Sequence, residues 1–179
     1  RSSDLTRAYD PHPLKDLPQK ADEIFDVVDE DNQVTGTSTR GEVHANDLLH
    51  RAVHVFVFNK RGDLLLQQRS MLKDEYPGVW DSSVSGHLDS GEDYEAAAIR
   101  ELGEEMGISG GEPEEIGLIK ASAKSGWQHV RLYSVRYDGA LKYPCAEIDA
   151  AIYFPLAEIE AWVKNRPEDF AGGFLECWR

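Results

Sequence analysis

The sequence predicts an α/β layered domain, of the α+β kind, built on a mixed β-sheet. Three observations carry this. Runs rich in β-branched and aromatic residues stand on both sides of one long helical pattern. A second helical pattern comes only late in the chain. The length, 179 residues, suits one domain that buries its own core.

The elements follow in order. Residues 1–21 are polar, hold Pro11, Pro13 and Pro18, and lack periodicity, which predicts an extended N-terminal arm ahead of a single domain over 22–179. Ile24–Val28 reads as a strand, Asp29–Asn32 as its turn and Val34–Thr39 as the returning strand. Arg40–Leu49 is a polar connection with room for a helical turn. Arg51–Phe58 (RAVHVFVF) reads as a buried strand, and Asn59–Asp63 turns it into Leu64–Arg69. After a loop over Lys73–Trp80, the segment Trp80–Ser85 is a short strand leading to Gly86. The main helix follows, with Ser90 as its cap in a capping box with Asp93, and Gly107 as its C-cap. Glu115–Ala123, Gln128–Tyr137 and Ala150–Phe154 read as strands, Leu156–Lys164 as a helix, and Glu168–Arg179 as the site of a last short helix.

Composition limits the function. The formal net charge of −14 argues against binding a nucleic-acid polymer, which takes a basic stripe to displace counterions. Carboxylates can still serve a phosphate substrate by holding divalent cations against it. No apolar run reaches the ~20 residues of a membrane span. Cys145 and Cys177 make neither a disulfide framework nor a zinc pattern, which fits a reducing, cytoplasmic setting. No charged start followed by an apolar run reads as a signal peptide, and with Arg1 in first place a trimmed targeting segment stays open.

The stretch Gly86–Ile108 (GHLDSGEDYEAAAIRELGEEMGI) concentrates the chemistry. On a helix Glu101, Glu104 and Glu105 share one face, while Ile99, Leu102 and Met106, with Ala98, form another that packs on the sheet. Three neighbouring carboxylates repel, and Gly103 inside the helix costs roughly 1 kcal/mol relative to alanine. A hard cation among the glutamates would relieve the repulsion and serve hydrolysis of a phosphate chain.

The spacing of Gly86, Glu92, Arg100, Glu101, Leu102, Glu104, Glu105, Gly107 and Ile108 resembles the signature of the Nudix hydrolase family at each of its fixed positions. The resemblance implies an α/β/α sandwich and a Mg2+ or Mn2+ site. In it Glu101 and Glu105 are ligands, Glu104 is a ligand directly or through water, and the Gly86 carbonyl often joins them. Arg100 would pair with Glu92 or with a ligand carboxylate and orient it. Glu101 is the first choice for deprotonating the attacking water. The reaction implied is attack of water on a P–O–P bond of a small-molecule diphosphate, of the nucleoside-diphosphate type.

The wider stretch, LLHRAVHVFVFNKRGDLLLQQRS followed by YPGVWDSSVSGHL, is similar to type 1 isopentenyl-diphosphate isomerases and to Nudix hydrolases related to them. In the isomerase a catalytic cysteine precedes the Gly-His pair, where this chain has Ser85. The isomerase's later glutamate also has no counterpart in Gly126-Trp127-Gln128-His129. Isomerase activity and a non-catalytic ligand-binding module are the alternatives. Glu147 is a further candidate base or ligand. Arg69 could reach a substrate phosphate or form an ion pair, and Trp127 could stack on a base. Trp80, His50 and His54 read as packing residues and His87 as a loop-stabilising hydrogen bond. A homodimer is an assembly the reading allows.

Overall fold

The strand His50–Phe58 (β4) sits at the middle of the molecule because both of its faces are apolar. Val53, Val55 and Val57 point one way; Ala52 and Phe56 point the other, and all five are buried. A strand that is apolar on both faces needs a layer on each. The computed structural model describes residues 7–8, 22–73 and 76–179. Apart from Arg7–Ala8 (β1), which pairs in parallel with Tyr143–Pro144 (β10), the expected N-terminal arm lies outside the described residues.

The central sheet runs β11-β5-β4-β9-β8. Here β5 is Leu64–Arg69, β8 Glu114–Ile119, β9 Gln128–Arg136 and β11 Ile148–Phe154. The β4–β9 pair is parallel and the other pairs are antiparallel, so the sheet is mixed, as expected. Val53, Val55 and Val57 pack against Leu102 and Met106 of the main helix, Tyr94–Met106 (α2). The opposite face packs against Leu156–Asn165 (α3) and Gly172–Trp178 (α4) through Ile159 and Phe174. Trp80 joins that layer, edge-on to Phe154 and Trp162 at 5.5 and 5.6 Å, the packing role its sequence position suggests. Among the described residues no helix is long and apolar enough to cross a membrane.

Four departures from expectation have physical causes. Trp80–Ser85 is not one strand. Trp80–Asp81 (β6) pairs with β5, and Val84–His87 (β7) pairs with β4. The β4–β5 hairpin pairs only at Phe58 and Leu64, and the two short strands fill the gap where it splays. The second departure is the cap of α2. It is Asp93, whose Oδ1 accepts from the Ala96 amide at 2.7 Å. Ser90 instead donates to Asp26 of the strand Ile24–Val28 (β2) at 2.7 Å, tying the preceding loop to a neighbouring hairpin. Third, Ile99 is 48% exposed, because the stripe that meets the sheet is Ala98, Leu102 and Met106. Fourth, Ala123 belongs to a 3-10 turn, Ala123–Ser125, rather than to β8. The polar connection after Val34–Thr39 (β3) does contain a helix, Arg40–Ala45 (α1), capped by Thr39.

Candidate active site

The site opens where β4 and β5 part. Gly86 lies within β7 (Val84–His87), the loop over 88–93 follows, and α2 then carries Glu101 near its middle and Glu105 near its end. A Cβ at Gly86 would overlap the carboxylate of Glu101 and stand 2.9 Å from its Cγ. Only glycine lets this backbone come so close to the glutamate. Glu101 and Glu105, one helical turn apart, are 8% and 7% exposed, whereas the Glu104 side chain is 58% exposed. The carboxylate row therefore has two buried members and one facing solvent.

Each buried carboxylate is held by a donor set. Glu105 Oε1 accepts from Gln67 Nε2 at 2.9 Å and from the Ser85 amide at 3.1 Å. Glu101 Oε1 accepts from Arg100 Nη1 at 2.5 Å. Arg100 is itself fixed by a fork onto Glu92, with Nε and Nη2 each 2.8 Å from a carboxylate oxygen. Its Nη2 also donates to the His87 carbonyl at 3.1 Å. This bidentate pair holds the Glu92 carboxyl below the usual range. Burial pushes Glu105 up to about 7, and the nearby negative charge of Glu147 adds to the rise. Burial, then Glu105, lifts Glu101 well above the ordinary value. Two buried carboxyls that resist ionisation suit a cation, because a cation supplies the charge that the fold withholds.

The remaining predicted residues divide by position. Arg69, Lys73 and Glu147 line the same cleft as the glutamates. Arg69 Nη1 lies 3.0 Å from Asp81, and Lys73 Nζ lies 3.7 Å from Glu147. Trp127 is outside the residues that line the cleft. Its backbone is left-handed at φ 63°, and its carbonyl accepts from the His50 amide at 3.2 Å.

Residues 48–172 match the family model described as the NUDIX domain. The chain belongs to the Nudix family. An uncharacterised Nudix hydrolase of Streptomyces coelicolor is 36% identical over 137 residues, 74% of each chain. Isopentenyl-diphosphate Delta-isomerase 2 of Photorhabdus laumondii is 45% identical over 87 residues; the match spans 49% of this chain and 49% of that relative. The matched stretch thus spans about half the length of the isomerase relatives. A crystal structure of DR0079 from Deinococcus radiodurans superposes with a TM-score of 0.72 at 25% identity, covering 80% of this chain and 90% of that one. The Nudix domain of Shewanella oneidensis NrtR, in a cocrystal with ADP ribose, shares the fold at a TM-score of 0.54 and 21% identity, over 69% of this chain and 88% of that one.

Within this Nudix site, Ser85 has two contacts. Its amide holds Glu105, and its hydroxyl lies 3.5 Å from Asp81. Beside the Nudix loop the fold also gathers three histidines that the sequence reading left separate. His44 of α1, His50 of β4 and His87 of β7 bring one ring nitrogen each within 4.8 Å of one another, an arrangement able to hold a cation. His50 Nδ1 meets the Leu48 carbonyl at 2.8 Å, while its buried Nε2 has no hydrogen-bond partner among the described residues. His87 Nδ1 lies 3.4 Å from Arg40, and Phe25 stacks on the ring at 4.7 Å. Burial keeps His50 down at about 4 and His87 well below the ordinary value, so both rings are neutral at pH 7. No spacing signal joins these three positions.

Proposed function

We propose that this chain is a metal-dependent pyrophosphohydrolase acting on a small organic diphosphate of the nucleoside-diphosphate type. The observation that carries the reading is the buried pair Glu101 and Glu105, set against a glycine backbone with room for nothing larger. The donor set is all oxygen, which suits Mg2+ or Mn2+. The Gly86 carbonyl, Glu101, Glu104 and Glu105 would hold the cation. Bound there, it would supply Lewis acidity and neutralise charge on the diphosphate.

The protein's own groups do the rest. Glu101 takes the proton of the attacking water, a role that suits a carboxyl whose basicity burial has raised. Arg100 keeps Glu101 in position, and Glu92 keeps Arg100 in position. Arg69 and Lys73, at the cleft wall, meet substrate phosphates, with Glu147 as an additional carboxylate beside them. Trp127 takes a scaffold role here. The ADP ribose in the Shewanella structure makes that compound a reasonable first substrate to try.

The relatives named isopentenyl-diphosphate isomerases favour a second reading, isomerisation. Ser85 speaks against it, since a serine hydroxyl near neutral pH is a poor substitute for a thiol as acid and base. One screen separates the readings. The protein is incubated with nucleoside diphosphates, ADP-ribose, sugar nucleotides, coenzyme A and prenyl diphosphates, with Mg2+ and then with Mn2+. Phosphate-bond cleavage that needs the cation supports hydrolysis. Conversion of isopentenyl diphosphate to its allylic isomer without cleavage overturns it. Binding without any product would indicate a ligand-binding module.

A further inference from the structure

The lining of the cleft also includes Ala52 and His54 of β4 and Ala171 and Gly173, which belong to the sheet face opposite α2. His54 is out of character there. Its neighbours on that face of the strand, Ala52 and Phe56, are buried and apolar. A buried histidine that serves only as packing ordinarily uses both ring nitrogens. His54 uses one. Its Nδ1 lies 2.6 Å from the buried Ser82 hydroxyl, which fixes the orientation of the ring. Its Nε2 has no hydrogen-bond partner among the described residues.

The space beside that nitrogen is also kept clear. A Cβ at Gly173 would stand 3.1 Å from Cε1 and 3.2 Å from Nε2 of His54, tighter than ordinary contact. Any side chain at 173 would press on the imidazole edge. A polar ring locked on one side and uncovered on the other, in the cleft that holds the glutamates, is arranged for a ligand. Burial lowers the His54 pKa, so the ring is neutral at pH 7 and offers one donor or one acceptor at Nε2, depending on which way the Ser82 hydrogen bond runs.

We infer that His54 is a specificity-determining residue whose Nε2 hydrogen-bonds a hydroxyl on the organic half of the substrate, so that the enzyme selects a hydroxyl-bearing diphosphate over an isoprenoid one. A hydroxyl can donate or accept and therefore satisfies either tautomer. An alkenyl tail would bury Nε2 without a partner, which is the more strongly disfavoured outcome. The inference rests on the diphosphate reading above for the position of the phosphates, at the glutamate end.

The test measures binding, so it stands apart from turnover. Dissociation constants of the full chain with Mg2+ are measured for three probes: ADP-ribose, isopentenyl diphosphate and inorganic pyrophosphate, the last reporting the phosphate end alone. Product formation is followed in parallel. In wild type, ADP-ribose binds more tightly than isopentenyl diphosphate. In His54→Phe the affinity ratio of ADP-ribose to pyrophosphate falls about tenfold or more, and the preference over isopentenyl diphosphate narrows. Gly173→Ala, which covers the ring edge without touching its chemistry, shifts the ratio the same way. His54→Gln, which keeps a polar end, restores part of it. Should His54→Phe fail to fold, the other two variants decide. Equal loss for all three probes, or no change in the ratio, overturns the inference, as does a wild-type preference for isopentenyl diphosphate. A shifted ratio without any product would overturn the hydrolase reading and leave the role of His54 standing.

Discussion

The two ends of the cleft are built in opposite ways. The carboxylate end comes almost entirely from one unbroken stretch, Gly86–Glu105, in which loop and helix set the geometry locally. The far end and the histidine cluster are assembled from α1, β4, β7 and the start of α4, residues that meet only when the sheet forms. The first kind of site announces itself by spacing, because helix periodicity converts sequence distance into a face. The second kind does not, because its spacing is set by the register of strands. The contrast suggests that chemistry resides in the local end and selectivity in the assembled one.

The largest expected effects lie at the local end. Glu105→Gln should lower pyrophosphohydrolase kcat by at least roughly 100-fold, while the metal-free protein melts no lower than wild type, since the change removes a buried carboxyl that resists ionisation. Gly86→Ala should abolish activity comparably and also destabilise, by about 1–3 kcal/mol, because the methyl group meets the Glu101 carboxylate; thermal melts and metal titration distinguish it from Glu105→Gln. Glu92→Gln breaks the fork on Arg100 without touching the carboxylate row, and should lower activity or metal affinity by roughly 10–100-fold.

The pH dependence is a gentler probe. The Glu105 carboxyl rises from 4.5 to about 7 on folding. A carboxyl with a raised folded pKa favours the folded state when protonated. That contribution is full below pH 4.5 and is lost as pH rises through about 7, an effect of about 3 kcal/mol. Buried His50 and His87 contribute with the opposite sign between about pH 4 and 6.5, so the effect is read as the melting temperature of metal-free wild type relative to Glu105→Gln, a difference that should fall across this window. The rise in melting temperature on adding Mg2+ or Mn2+ should grow across it, since the cation takes the deprotonated form. The metal-dependent rise should shrink in Glu105→Gln. The smallest effect belongs to the assembled end. His50→Phe gives up the bond to the Leu48 carbonyl but also removes a buried, unpartnered Nε2, so the net stability change should stay within about 1 kcal/mol by chemical denaturation.

The same contrast explains what could be read before folding was considered. The apolar runs of β4 and β5, the turn at Asn59–Asp63 and the α2 helix were legible because each is a local pattern. Ser90 was misread as a cap because Asp26, its actual partner, lies 64 residues away. Ile99 was placed on the core face because periodicity alone does not say where an apolar stripe ends. The division of Trp80–Ser85 into two strands depends on the splay of β4 from β5, a tertiary feature with no sequence mark. Likewise the contacts of His54 with Ser82 and Gly173 had no mark in the sequence, since neither residue adjoins it there.

The central claim is that the buried glutamates of α2 cleave a diphosphate with the help of a divalent cation. Its most direct test is product analysis of ADP-ribose incubated with wild type and with Glu105→Gln, each with Mg2+ and each with chelator. The account predicts cleavage at the P–O–P bond by wild type with Mg2+ alone. Full cleavage by Glu105→Gln, or by wild type in chelator, would contradict it.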